Sequence, residues 1–242
     1  MGILIAAFLA LATMALHGGT AEMDEDHQTI YRCGRLAPGG DGPATSSQPL
    51  PLRQFWLASP DPRFAQGSAS AAWNDDFLFV TATLEDRDIF NALRGWNEPF
   101  YLAGDIFEIL IRPLDGVAYY EFHVTPHGDV LQLRYPGPSA IADFRESGGK
   151  PEDLIKTFRI EERLVEARTE IHAGKNFWTA HVKIPASLLA KDGKFRRGDK
   201  LLVSFCRYDH TRGQPAPVLC STSDHRVCSF HRQAEWRMAV LE

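Results

Sequence analysis

Glu108, Glu121 and His123 are the residues whose types and spacing best suit chemistry. They lie in two apolar runs, Phe107-Glu108-Ile109-Leu110-Ile111 and Tyr119-Tyr120-Glu121-Phe122-His123-Val124, on either side of Asp115-Gly116. A two-residue Asp-Gly loop between such runs signals a type I′ hairpin. With the turn there, Leu114 faces Val117 and every other pair follows. Phe107, Ile109 and Ile111 share an apolar face with Val124, Phe122 and Tyr120. The other face sets Glu108 against His123, Leu110 against Glu121, and Arg112 against Tyr119. Two carboxylates and an imidazole on one face can hydrogen-bond a ligand or act as acid and base on a glycosidic bond. They can equally form ordinary cross-strand pairs on a solvated surface.

Further candidates are scattered along the chain. Trp96 sits in a loop with Asn91, Arg94 and Asn97, where an exposed aromatic suits binding. Arg207 follows Cys206 in mid-strand, where a guanidinium serves either a ligand or an internal carboxylate. His231 is next to Phe230. Asp86 and Asp88 offer hard oxygen atoms for calcium, although the same run suits a tight turn. Trp73, Trp178 and Trp236 fall on core positions of their strands.

The elements that must position these residues are strands. Apolar and β-branched runs predict strands over Phe77–Leu84, Asp105–Arg112, Val117–Thr125, Val130–Tyr135, Leu164–His172, Asn176–Ile184, Leu201–Tyr208 and Trp236–Leu241. Only Ala186–Ala190 and Glu152–Lys156 read as short helical turns. Residues 22–66 hold many of the prolines and glycines and read as an irregular leader, with one strand near Gln54–Leu57. The pattern predicts an all-β chain with very little helix, an antiparallel β-sandwich in which residues 67–242 form one domain.

The chain has 242 residues, is 44% apolar and carries a net charge of −5, so global disorder is excluded. Lys and Arg total 26 against 31 Asp and Glu, with no long basic run, which disfavours nucleic-acid binding by bulk charge. The apolar stretch Ile3–Leu16, followed by Gly19-Thr20-Ala21, reads as a signal peptide over residues 1–21. The expected location is therefore periplasmic or secreted. In such a compartment four cysteines favour disulfides, and Cys220 and Cys228 are close enough in sequence to close a local loop.

Several motifs in order resemble family 9 carbohydrate-binding modules and their DOMON-like relatives. They are Trp73-Asn74-Asp75-Asp76-Phe77-Leu78-Phe79-Val80, Leu84-Glu85-Asp86-Arg87-Asp88-Ile89, Gly104-Asp105-Ile106-Phe107-Glu108-Ile109, and Tyr119 through Pro126. Phe205-Cys206-Arg207-Tyr208-Asp209 and Ser229-Phe230-His231 through Glu235-Trp236 resemble the closing motifs. The resemblance implies a DOMON-like, jelly-roll-type sandwich that holds a sugar ring in an aromatic clamp, with polar strand residues on its hydroxyls. It places a ligand-contacting Glu at Glu108 and a basic ligand contact at His123. One clamp aromatic falls at Tyr101 or Leu102, near Trp96. The other falls at Val227–Phe230, where no Trp occurs and Phe230 could substitute.

Three functions compete on these residues. The first is a non-catalytic protein that binds sugars or polysaccharide fragments, associated with secreted polysaccharide-degrading enzymes and needing no cofactor, with Asp86 and Asp88 as calcium candidates. The second is a DOMON-type haem domain for electron transfer, which needs axial His or Met ligands. The third is a glycoside hydrolase using Glu108 and Glu121.

Overall fold

The computed structural model describes residues 30–37, 40 and 47–242. The expected signal peptide and part of the expected leader lie outside the described residues. The strands, in chain order, are β1 (Tyr31–Arg35), β2 (Leu50–Pro51), β3 (Gly67–Trp73), β4 (Phe77–Glu85), β5 (Ile106–Pro113), β6 (Tyr119–Val124), β7 (Val130–Tyr135), β8 (Glu166–His172), β9 (Phe177–Pro185), β10 (Lys200–Asp209), β11 (Val218–Ser221) and β12 (Arg237–Leu241). Among the described residues there are also three short α-helices, α1 (Ala140–Glu146), α2 (Leu154–Phe158) and α3 (Ala186–Leu189), and four single-turn 3-10 helices.

The chain folds as an all-β sandwich. One sheet runs β7-β6-β5-β10-β12, with β11 on the far part of β10; the other runs β3-β4-β9-β8, with β2 on β3. Strand alternation explains the layering. On β9, Trp178, Ala180, Val182 and Ile184 point inward while the residues between them are partly exposed. Phe107, Ile109 and Ile111 of β5, Tyr120, Phe122 and Val124 of β6, and Val203 and Phe205 of β10 meet them from the first sheet. The core tryptophans are buried as expected: Trp73 and Trp178 lie between the sheets, and Trp236 lies on the outer side of the first sheet.

β1 departs from the expected pattern twice. It is a strand inside the supposed irregular leader, and its pairings are parallel. Tyr31–Cys33 pair with Ala239–Leu241 of β12, and Gly34 and Arg35 then pair with Ala72 and Trp73 of β3. One five-residue strand thus passes from one sheet to the other. The strand expected near Gln54–Leu57 is instead a turn, closed by Leu57 N–H donating to the Gln54 carbonyl at 3.1 Å. Proline, glycine and a short alternation hide β1 in the sequence. Helix α1 is also absent from the sequence reading.

The central hairpin has the expected register and a different turn. Phe107 pairs with Val124, Glu108 with His123 and Leu110 with Glu121. The strands, however, end at Pro113 and Tyr119, so the connection is longer than two residues. Gly116 N–H donates to the Pro113 carbonyl at 2.9 Å, and Leu114 N–H leaves the hairpin for the Lys200 carbonyl of β10. Asp115 and Gly116 have no positive φ, which a type I′ turn requires. The register thus holds without that turn, with β5 paired on its other edge to β10 over Ile106–Pro113.

The outer face of the first sheet is covered rather than solvated. Ile106, Leu110, Tyr119, Leu131, Leu133, Tyr135 and Leu202 form a second apolar cluster with Phe100, Ala140, Phe230 and Trp236 from the short helical turns and loops outside the sheet. The expected Cys220–Cys228 disulfide is not formed, and all four cysteines are free. Strand parity accounts for the separation of the buried thiols: Cys220 points into the main core and Cys206 into the second cluster.

Candidate functional site

Glu108 of β5 and Glu121 and His123 of β6 project from the covered face of the first sheet, beneath the second apolar cluster. Their relative exposures are 2%, 6% and 2%. His123 Nε2 lies 2.6 Å from Glu121 Oε1, on its own strand, and 4.0 Å from Glu108 Oε2, its cross-strand partner. The imidazole therefore sides with Glu121 rather than with the residue facing it. Glu121 Oε2 accepts a 2.8 Å hydrogen bond from the Tyr135 hydroxyl of β7 and lies 3.5 Å from His231 Nε2. Glu108 Oε2 and His123 Nδ1 are buried without a hydrogen-bond partner.

The two carboxyls hold their protons differently. Burial raises the Glu108 carboxyl well above the usual range, and the negative charge of Glu121 adds to that. Burial also acts upward on Glu121, but the hydrogen bond and charge of His123, with His231 and Tyr135, hold it well below the usual range. A protonated Glu108 beside an ionised Glu121 is the arrangement that two buried carboxyls with no Lys or Arg partner adopt.

Aromatic residues form the rim. The Tyr101 ring stands edge-on to His123 at 5.7 Å and lies 6.3 Å from Tyr208. Tyr208 meets Phe230 at 5.9 Å, and Phe230 is buried against it, Trp56 and His225. His231 is partly exposed and shares a 3.1 Å contact through Nδ1 with the Tyr119 hydroxyl. Tyr119 in turn stacks on Tyr135, with centroids 4.5 Å apart. Tyr101, Glu108, Glu121, His123 and Phe230 thus belong to one neighbourhood. Tyr119, Tyr135 and Tyr208 join them without having been singled out in the sequence. Carrying the hairpin register one strand further would have found Tyr135, which pairs with Tyr119 on the Glu121 face.

Trp96 and Arg207 do not join this set. Trp96 pairs through its backbone with Val130, packs against the main core and lies under the Arg163 guanidinium at 4.8 Å. It lines a separate groove of about 400 Å³ with Asp129 and Glu166. Arg207 is fully buried, and alternation with Cys206 turns it toward the opposite side of the sheet from Glu108. Its Nη2 lies 3.0 Å from Asp86 Oδ2 and 3.3 Å from Asp209 Oδ1, so it is an internal ion-pair residue.

Asp86, Asp105 and Asp209 form an acidic cluster around that guanidinium, with one oxygen of each within 4.8 Å of the others. Burial, with the neighbouring Asp86 charge, pushes Asp105 up to about 9. Burial likewise raises Asp209 to about 6, against the pull of Arg207. The calcium candidates Asp86 and Asp88 do not converge. Asp86 accepts the Asp88 N–H at 2.8 Å and serves Arg207, whereas Asp88 is ion-paired to Arg212. A guanidinium supplies the positive charge that a cation would bring to Asp86.

No family model matches this sequence, and no curated protein does. Solved structures share its fold. A Bacteroides uniformis protein to which carbohydrate binding is ascribed superposes with a TM-score of 0.66 at 14% identity, over 89% of this chain and 100% of its own. A family 9 carbohydrate-binding module from Caldicellulosiruptor kristjanssonii, solved with cellotriose, gives 0.55 at 12% identity, over 88% and 94% of the two chains. The same organism's module solved with glucose gives 0.50 at 13% identity, over 88% and 96%. At these identities the likeness concerns architecture: the chain has the β-sandwich fold of the family 9 carbohydrate-binding modules.

Proposed function

We propose that this is an exported, non-catalytic carbohydrate-binding protein whose site is the rim of Tyr101, Tyr208, Phe230 and His231 above Glu108, Glu121 and His123. The observation that carries the reading is the pairing of aromatic rings with buried polar atoms that lack a partner, Glu108 Oε2 and His123 Nδ1. A pyranose has an apolar C–H face that an aromatic ring can meet, and hydroxyls that donate and accept at once. The shared fold with modules solved with cellotriose and glucose supports the same class of ligand. Sugars or polysaccharide fragments are then its partners, with secreted polysaccharide-degrading enzymes as its functional setting.

The polar floor is nearly closed, so a sugar must engage the rim first and displace Tyr101 or His231 to reach it. A glycan array followed by titration calorimetry tests the reading. Tyr101→Ala and His231→Ala should each weaken binding about ten-fold or more, the loss expected for one good polar or stacking contact. No glycan bound on the array, or binding that both variants leave intact, would refute it.

One observation favours hydrolysis as a second reading: Glu108 is driven toward its protonated form and Glu121 toward its ionised form. Unlike protonation of two neighbouring carboxyls is what acid–base cleavage of a glycosidic bond uses. Turnover of aryl glycosides that disappears in Glu121→Gln would establish it.

A further inference from the structure

Glu108, Glu121 and His123 each place one ligand-type atom within 4.8 Å of the other two. His123 Nε2 is their common neighbour, 2.6 Å from Glu121 Oε1 and 4.0 Å from Glu108 Oε2. Zinc binds imidazole nitrogen and carboxylate oxygen at about 2.0–2.2 Å, which sets ligand atoms roughly 3–3.5 Å apart. The 2.6 Å contact must open slightly and the 4.0 Å contact close slightly, both within side-chain adjustment.

The charge around this set differs from that of the other acidic cluster. Arg207 is built into the Asp86, Asp105 and Asp209 cluster. Glu108 and Glu121, in contrast, have only histidines as ion-pair partners among the described residues. A divalent cation neutralises two buried carboxylates outright. Glu108 gives an independent sign of a missing partner: its side chain is 2% exposed, and Oε2 faces the His123 ring with no hydrogen bond. The outer support is also present. The Tyr135 hydroxyl holds the second oxygen of Glu121, as the carboxylate ligands of metal sites are usually held.

We propose that Glu108, Glu121 and His123 bind a first-row divalent cation of the zinc type, with His231 next to the non-ligand oxygen of Glu121. One imidazole and two carboxylates suit zinc, whereas calcium takes six to eight oxygens. His123 coordinates through Nε2, so its single ring proton resides on Nδ1. A bare ion is far smaller than a sugar ring, so the ion and the sugar make different demands on the rim. Ion binding does not rest on the sugar reading, although it uses the same three residues.

The test uses the purified full-length protein, stripped with a chelator and titrated with zinc chloride, with calcium and magnesium chloride as comparison arms. One zinc per chain is expected, with no measurable calcium or magnesium at the same site. Glu108→Gln and His123→Gln should each weaken zinc binding by about a hundred-fold or more, since loss of an outer support alone costs ten- to a hundred-fold. Cobalt in place of zinc should give a visible absorption band that both variants abolish. Absence of stoichiometric zinc, or equal zinc retention by the two folded variants, overturns the proposal. Should either variant fail to fold, Tyr135→Phe serves instead: affinity about ten-fold or more lower supports the site, and unchanged affinity overturns it. Sugar titrations run separately in chelator, so loss of zinc binding and loss of sugar binding are read independently.

Discussion

Tyr135 donates its hydroxyl hydrogen to Glu121 Oε2 at 2.8 Å from the neighbouring strand, while Oε1 of the same carboxylate faces His123. Both oxygens of Glu121 are thus engaged, and the carboxylate is fixed in the ionised form. Glu108, one strand away, has no such partner. The difference between the two residues organises the chemistry of this face.

Tyr135→Phe removes one hydrogen bond to a charged group and nothing else. It should destabilise the fold by about 1.5–3 kcal/mol, measured by urea unfolding, because the hydroxyl and its acceptor are both buried. A change within error of zero would show that water replaces the hydroxyl.

Glu108→Gln should change the pH dependence of stability in metal-stripped protein. Burial first, and the Glu121 charge second, raise the Glu108 carboxyl. The folded protein therefore keeps a proton that the unfolded chain releases near its ordinary pKa of about 4.3. That contribution is complete below the unfolded pKa and is lost as pH rises toward the folded one. Glutamine has no such loss. The melting temperature of the variant minus that of the wild type should increase from about pH 5 to about pH 9. A constant difference would show that Glu108 titrates normally.

Arg207→Met is the contrasting case. It removes the guanidinium that Asp86 and Asp209 share and leaves buried carboxylates uncompensated. The expected cost is about 3–5 kcal/mol in chemical denaturation. Zinc and sugar titrations of the folded fraction should be unchanged, because Arg207 faces away from Glu108. A matching loss of either ligand would place Arg207 in the site after all.

The proximity of Asp115-Gly116 to two apolar runs was enough to read the pairing of Glu108 with His123. Alternation along a strand is a strict constraint, because a one-residue slip would turn Glu121 and His123 into the main core. The cover over the other face was not legible, because it comes from Phe100, Ala140, Phe230 and Trp236 in loops and helical turns too short to show a period. The same reason separates Trp96 from Tyr101. They are close in sequence, yet Trp96 turns to the main core and Tyr101 to the outer cluster. For Arg207 the information was present: Cys206 shares the Glu108 face by register, so its neighbour must point away.

Thiol labelling distinguishes the cysteine arrangement from the disulfide expected of an exported chain. All four cysteines should be alkylated in denaturant without reductant. In native protein Cys228 should react first, because Cys33, Cys206 and Cys220 are buried. Fewer than four adducts in denaturant would reveal a disulfide formed in the compartment where the protein matures.

Trp178→Ala should cost about 3–5 kcal/mol in chemical denaturation, as truncation of a large buried aromatic does. Trp178 is fully enclosed between the sheets and pairs with Leu84 and Ile171 on its two neighbouring strands. A small loss would mean that the core collapses around the deletion.

The passage of β1 between the sheets has a kinetic consequence. Its contacts are among the most non-local in the molecule: Arg32 and Glu242, joined by an ion pair, are 210 positions apart. Loop-closure entropy opposes such pairings until the intervening hairpins have condensed. The local hairpins β3 with β4, β5 with β6 and β8 with β9 can zip early, but the seam between the sheets closes only when β12 is available to receive β1. A chain halted before Arg237 should therefore collapse with both sheets partly formed and remain susceptible to proteolysis at β1, with full protection arriving as a late step.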